Sequence, residues 1–254
     1  MSTKIGRRRF FKSGLFLSLV AGGTLASAFS LLSVTPSKSF TTANAERPSR
    51  LGVVQLPRPT IGKMSVEEAL IKRRSRRDYV DVPASLEATA KILWSAQGVT
   101  EPEKWVGLRT IPSAGGLYPL EVYAVVREGG VEGLEAGVYH YEPHSHTLEV
   151  IAKGDHSQEL MAAAVDQPWV ARAAFNIVIT AIPQRTAAKY GDRSWQYIWQ
   201  ESGHAGQNVY LQATALNLGN TVIGAFYEDE VRSILRIPQE ELPVYIATVG
   251  TLKV

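Results

Sequence analysis

The strongest pattern along the chain is Phe175–Ile182, where nearly every side chain is apolar. A strand with no polar face is one buried on both sides, so this run predicts the centre of a sheet. Leu120–Arg127 is β-branched and aromatic and predicts another strand. Gly137–Tyr141 and Thr147–Ala152 flank Pro143-His144-Ser145 and predict a hairpin. Elsewhere the period changes. Leu86, Ala90, Leu93 and Ala96 recur at helical spacing, so Ser85–Gln97 predicts a helix that Gly98 ends. Ser65-Val66-Glu67-Glu68 is a capping box that starts a helix running towards Arg73. His156–Val165 and the long, alanine- and aromatic-rich Ser194–Leu216 predict further helices. Asn220–Phe226 and Val244–Val249 predict strands on either side of a short helix at Glu228–Leu235. Helices thus alternate with strands around a central hairpin. The expected fold is an α+β layered domain over residues 63–254, with a mixed, mainly antiparallel sheet flanked by helices.

The first 45 residues break this pattern. Gly-Arg-Arg-Arg-Phe-Phe-Lys at 6–12 precedes an apolar run from Gly14 to Val34. Ala43-Asn44-Ala45 and Ala26-Ser27-Ala28 are small-x-small exits. Basic start, apolar stretch and small exit predict a signal peptide, and the Arg-Arg-x-Phe-Phe-Lys string resembles the twin-arginine type. That route implies export of an already folded protein to the periplasm or cell envelope. The alternative is an uncleaved anchor, the one way this chain would meet a membrane. Residues 46–62 carry Pro48, Pro57 and Pro59 and predict an extended arm over the domain.

Charge follows from this division. The chain has 27 Lys and Arg against 24 Asp and Glu, but six of the cations lie in residues 1–45, where no acid occurs. The remainder is therefore net acidic by three, with 21 cations against 24 anions. That removes the electrostatic case for nucleic acid. The chain has no cysteine, which excludes disulfides, thiolate metal sites, a cysteine nucleophile and a lipoprotein anchor.

Four segments carry candidate chemistry. Lys72-Arg73-Arg74-Ser75-Arg76-Arg77 crowds five cations and a hydroxyl at a helix end. It suits a phosphate, or it is a solvated basic face. Ile111-Pro112-Ser113-Ala114-Gly115-Gly116-Leu117-Tyr118-Pro119 sets small residues between prolines, so its backbone can lie against a flat ligand or simply turn. Lys189-Tyr190 is a possible acid/base pair, or part of a loop leading into the long helix. Thr221-Val222-Ile223-Gly224-Ala225-Phe226 leaves backbone open at a strand end, for a ligand or for close packing. Glu201-Ser202-Gly203-His204-Ala205-Gly206-Gln207-Asn208 follows on the long helix, where His204 and Asn208 share a face and read as structural. His140, His144 and His146 lie around the hairpin, but no neighbouring acid completes a ligand set, so no metal is assigned.

Taken in order and spacing, the four segments resemble the nitroreductase superfamily, in particular its azoline-oxidising branch of SagB and ThcOx type, over roughly Met64 to Gly250. The resemblance implies an intertwined homodimer with FMN at the subunit interface. It places Arg73, Arg74, Ser75 and Arg77 on the FMN phosphate and ribityl chain. Ser113, Ala114, Gly115 and Gly116 would reach the flavin of the partner subunit, with Gly224 and Ala225 near flavin N5. Lys189 and Tyr190 match the acid/base pair of azoline dehydrogenases, and the long helix would be dimer core. One departure is that only Lys253 follows the last strand where many members place several phosphate-binding cations. The expectation is an exported FMN-dependent oxidoreductase acting on a small conjugated, heterocyclic or peptide-borne substrate. The electron donor is left open between nicotinamide, quinol and a redox partner. The alternative is a flavin- or ligand-binding envelope module without turnover.

Overall fold

A computed structural model of the chain describes residues 50–104 and 107–253. The export segment read at 1–45 and the start of the arm lie outside the described residues. In chain order the elements are β1 (Val53–Gln55), α1 (Val66–Lys72), α2 (Leu86–Gln97), β2 (Val99–Glu101), β3 (Leu108–Arg109), β4 (Leu120–Val126), β5 (Gly137–Glu142) and β6 (Thr147–Lys153). There follow α3 (Ser157–Ala163), α4 (Pro168–Arg172), β7 (Phe175–Ala181), α5 (Pro183–Tyr190), α6 (Ser194–Ala215), β8 (Leu218–Ile223), α7 (Glu228–Leu235) and β9 (Leu242–Thr251).

Seven strands form one sheet in the order β1-β6-β5-β4-β7-β9-β8, and β2 pairs with β3 apart from it. Every pairing between neighbours in the large sheet is antiparallel. The expected parallel component is confined to an isolated bridge between Ala84 and Val131. As the pattern predicts, β7 is buried along its whole length near the sheet's middle.

Alternation along the strands sends side chains into two cores. Val122, Ala124 and Val126 face α2 and α6, meeting Ile92, Leu93, Ile198, Ala205 and Val209. Tyr123 and Val125 face the opposite way, towards α3 and α7, meeting Leu160, Val231 and Leu235. The molecule is thus three layers, helix–sheet–helix, and the nitroreductase-like α+β architecture is present. The apolar stripe of α6 is used within its own chain, so its composition is accounted for without a partner. Among its large apolar side chains, α6 leaves exposed a stacked pair, Trp195 and Trp199, 5.5 Å between ring centroids.

The start signal at Ser65 acts as read, and Ser85 caps α2 in the same way. The Ser65 hydroxyl accepts from Glu68 N at the head of α1, and the Ser85 hydroxyl accepts from Ala88 N at the head of α2. The arm does more than lie on the surface. Its β1 segment pairs with β6 and closes that sheet edge, with Leu51 N donating to Val150 O. His146 holds the arm's end: Nε2 bonds Pro57 O at 2.9 Å, and Nδ1 lies 2.8 Å from the Tyr141 hydroxyl. The opposite edge, β8, is partly covered by the arginine segment, where Arg76 N donates to Asn220 O.

Candidate functional site

α1 stops at Lys72 and the chain leaves it extended, with Arg73 at φ −54°, ψ 125°. Consecutive side chains of an extended segment point to opposite sides, and the arginines divide accordingly. Arg73 lies over the Tyr210 ring, 5.1 Å from its centroid, and the Ser75 hydroxyl meets the Tyr210 hydroxyl at 2.7 Å. Arg77 lies over Trp169, again at 5.1 Å. Arg74 and Arg76 instead join Lys72 and Lys253 around an open pocket of about 830 Å³, with Thr214, Asn217 and Asn220 on its wall. No carboxylate of the described residues lines that pocket. Of its cations, Lys72 is drawn towards Glu68 at 2.6 Å, whereas Arg74 bonds, among the described residues, the backbone carbonyls of Ile71 and Arg73. Asn220 is buried and donates to Thr248 O, but its Oδ1 has no partner among the described residues. A cluster of cations beside polar side chains with spare capacity has the chemistry of a phosphate seat. The single late cation, Lys253, stands beside Arg74.

Tyr210 joins this segment to the small-residue strand end. Its hydroxyl contacts Ser75 and accepts from Val222 N at 3.1 Å, so one phenol bridges the arginine segment and β8. β8 ends at Ile223, one residue before Gly224, and both Gly224 and Ala225 are exposed. A side chain at Gly224 would meet only the edge of the Tyr245 ring, at 4.0 Å. From Asn220 to Gly224 the chain covers about 13 Å if extended. The pocket end and the bare backbone end are therefore separated by the reach of an extended sugar-phosphate chain carrying a flat ring.

The other two segments also meet. Gly115 and Gly116 sit in a short turn at φ 65° and 66°, and Tyr118 follows at φ 43°. Left-handed backbone at a residue with a side chain is uncommon and concentrates at functional turns. A Cβ on Gly115 would lie 2.9 Å from the Tyr190 hydroxyl and 3.0 Å from Lys189 Nζ. Lys189 and Tyr190 thus converge on a glycine that leaves them room. They end α5, a helix where the sequence reading allowed for a loop, and Lys189 Nζ lies 5.4 Å from its neighbour's ring centre. The turn is held from behind by Glu201 of α6, whose Oε1 accepts from Ala114 N at 2.9 Å. Burial raises the Glu201 carboxyl above its ordinary value, while the Ala114 amide, the Ser113 hydroxyl and the Arg109 charge pull it back. Arg109 itself lies over the Tyr118 ring at 4.5 Å.

Glu201 and Tyr210 are nine positions apart on one helix. At about 100° and 1.5 Å per residue they lie on opposite faces, roughly 13 Å apart along the axis. The arginine–β8 assembly and the glycine–Lys189–Tyr190 assembly therefore face away from each other in one chain.

The motifs the sequence singled out are therefore gathered into two groups of two. The model of the Nitroreductase family matches residues 70–251. The chain belongs to the nitroreductase family. A nitroreductase-like protein of Methanocaldococcus jannaschii is 43% identical over 197 residues, covering 78% of this chain and 96% of its own. The microcin B17-processing protein McbC of Escherichia coli is 28% identical over 158 residues, and the trifolitoxin operon protein TfxC of Rhizobium leguminosarum 24% over 195. Those alignments cover 61% and 72% of this chain, and this member of the family spans only 57% and 54% of the two proteins' own lengths. Among solved structures, a nitroreductase-like protein of Ralstonia eutropha superposes with a TM-score of 0.68 at 25% identity, over 82% of this chain and 95% of that one. A chain of the E. coli microcin synthetase McbBCD complex, solved with truncated pro-MccB17 bound, gives 0.63 at 24% identity, over 91% and 85%.

One sequence expectation needs correcting. His140 does have acids beside it: Nε2 lies 2.7 Å from Glu121 and Nδ1 3.3 Å from Glu149. Strand neighbours β4 and β6 supply them, a proximity invisible in sequence. The same carboxylates are engaged by Arg185 and Arg50, at 2.6 and 2.8 Å. No cluster of metal-ligating side chains occurs among the described residues. Tyr210 and Trp169 were missed as site residues, and Glu201 was noted only as part of the 201–208 segment, without a role. The only available signal was a polar or polar-tipped side chain on the inner face of an otherwise apolar helix.

Proposed function

We propose that this nitroreductase-family chain is an exported FMN-dependent oxidoreductase that works as a homodimer. The observation that carries the reading is the Tyr210 bridge, which ties the arginine segment to β8 just before its bare backbone end. Arg74 and Lys253, with Arg76, would hold the phosphate. Arg73, Ser75 and Arg77 would line the ribityl chain, and Gly224 and Ala225 would lie against the ring. Bound there, FMN supplies hydride chemistry at a ring nitrogen. The residues present fit it: the pocket is cationic and open, and no side chain projects from Gly224.

The chain's own groups do the rest. The arginine cations offset the phosphate charge and hold its oxygens in fixed directions. Lys189 Nζ and the Tyr190 hydroxyl, which converge at Gly115, would give or take a proton at the substrate. They face away from the arginine assembly of their own chain, and this favours a site completed by the Ser113–Gly116 turn and Lys189–Tyr190 pair of a second copy. The kinship with McbC and TfxC favours a heterocycle-bearing substrate. The leader sequence favours the periplasm, where a quinol or a redox partner is the expected electron donor.

Purified mature protein should be yellow, dimeric, and release FMN on denaturation. A colourless protein that FMN cannot reconstitute would falsify the reading. Stopped-flow mixing with NADH, NADPH and quinols separates an enzyme from a binding module: a bound flavin that no donor reduces favours the latter.

A further inference from the structure

We propose that Glu201 is a positioning residue for the reaction: by holding the Ser113–Gly116 turn it seats the Lys189 amine and the Tyr190 hydroxyl. The contacts run in series. Glu201 Oε1 accepts from Ala114 N at 2.9 Å. Ala114 opens the short turn whose next residue, Gly115, packs against Lys189 Nζ and the Tyr190 hydroxyl. Ser113 braces the same turn, its hydroxyl accepting from Tyr118 N at 2.9 Å and its carbonyl from Gly116 N at 3.0 Å. Moving the turn therefore moves the surface on which the two side chains rest.

The chemistry of the anchor sets it apart from an ordinary buried contact. Glu201 is 3% exposed and makes no ion pair among the described residues. Its second oxygen, Oε2, has no hydrogen-bond partner there either. A desolvated carboxylate with no cation in direct contact is costly, and the Ala114 amide, the Ser113 hydroxyl and the Arg109 charge offset only part of that cost. What the turn needs from this residue is an acceptor aimed at the Ala114 amide, which a carboxylate supplies strongly and the side-chain carbonyl of a glutamine still supplies. The groups that face it are the Ala114 amide, the Ser113 hydroxyl and the Arg109 guanidinium.

The catalytic use of Lys189 and Tyr190 rests on the function proposed above; their seating by the turn does not. The test compares wild type, Glu201→Gln and Glu201→Ala as full mature protein with whatever cofactor it holds. Three quantities are followed: the exchange rate and pH dependence of the Ala114 amide signal by NMR, the acetylation rate of Lys189 with acetic anhydride, and kcat against KM. In wild type the Ala114 signal should titrate with a midpoint above the ordinary glutamate value. In Glu201→Gln that titration should vanish while slow exchange, Lys189 reactivity and most of kcat remain. In Glu201→Ala the amide should exchange about tenfold faster or more, equivalent to one lost hydrogen bond. Its Lys189 reactivity should change severalfold, and kcat should fall more than KM rises.

An Ala114 signal that ignores pH overturns the proposal, as does a folded Glu201→Ala with wild-type exchange and lysine reactivity. If Glu201→Gln keeps the turn yet is as inactive as Glu201→Ala, the residue transfers a proton itself and positioning is overturned. Should Glu201→Ala fail to fold, the titration in wild type and its loss in Glu201→Gln decide. A protein without FMN or turnover sinks the proposed function but leaves the exchange and acetylation results readable.

Discussion

The two faces of α6 are furnished in opposite ways. On one, exposed cations surround an open pocket lined by no carboxylate of the described residues, and the Tyr210 phenol helps tie the segment that carries them to the sheet. On the other, a buried carboxylate with no ion pair holds a strained turn against two side chains. The first is electrostatic and redundant, since each arginine contributes a share of one field. The second is steric and serial, since each contact depends on the one before. Removing one cation should therefore give graded losses that salt exaggerates, whereas crowding the turn should give abrupt ones that salt does not touch.

The sharpest break is at Gly115. Alanine there must adopt φ near 65° and place its methyl 2.9 Å from the Tyr190 hydroxyl. Displacing Lys189 and Tyr190 by about an ångström should lower kcat roughly 100-fold, with FMN content unchanged by absorbance. A Gly115→Ala enzyme with normal kcat would remove the serial logic. Arg74→Ala should raise the FMN dissociation constant about tenfold, some 1.4 kcal/mol, read by fluorescence titration. That loss should exceed the one from Lys253→Ala and shrink at high salt. Tyr210→Phe tests the bridge itself. Val222 N and Ser75 each lose a partner, so urea unfolding should show a loss of about 1 kcal/mol together with weaker FMN binding. If stability falls and binding does not, the bridge serves the sheet alone.

The smallest effect should come from the arm, remote from both faces. Burial lowers the pKa of His146, so its neutral form is favoured when the arm is docked. The stability this gives is present above the ordinary histidine value of 6.5 and is lost as pH falls through the lowered value. Hydrogen exchange at Leu51 and Leu56 should accelerate in that acidic range, with the FMN affinity steady. Any parallel change in affinity would show that arm and site are coupled.

Elements with a strong local pattern were legible in the sequence. The bounds of α7 are those read at Glu228–Leu235, and β4 and β7 fall within the apolar-rich runs read at Leu120–Arg127 and Phe175–Ile182. Boundaries set by tertiary contact were not. β8 stops at Ile223 although the apolar pattern runs on to Phe226, because the strand end is where the backbone turns away. α5 has its own helical face, yet Pro183 and the polar Gln184 and Arg185 hid it. The motifs themselves were visible, but their pairing was not: nothing in the spacing places Gly115 on Lys189 or Ser75 on Tyr210. Those contacts span 74 and 135 positions and follow from the sheet order, which no local pattern encodes.

Both margins of the sheet are occupied, β6 by the arm and β8 by the arginine segment. A bare β-edge offers a row of unpaired amides and carbonyls to any passing strand, including one from a sibling molecule. Trimming the arm back to Pro57 would uncover the Val150 amide and carbonyl on β6 while leaving every residue of the proposed site in place. The foreseeable consequence is a protein that still takes up its ligand but is prone to run together into filaments. The arm that pairs with β6 then acts as a safeguard of dispersal, one that proteolysis would remove long before it reached the chemistry.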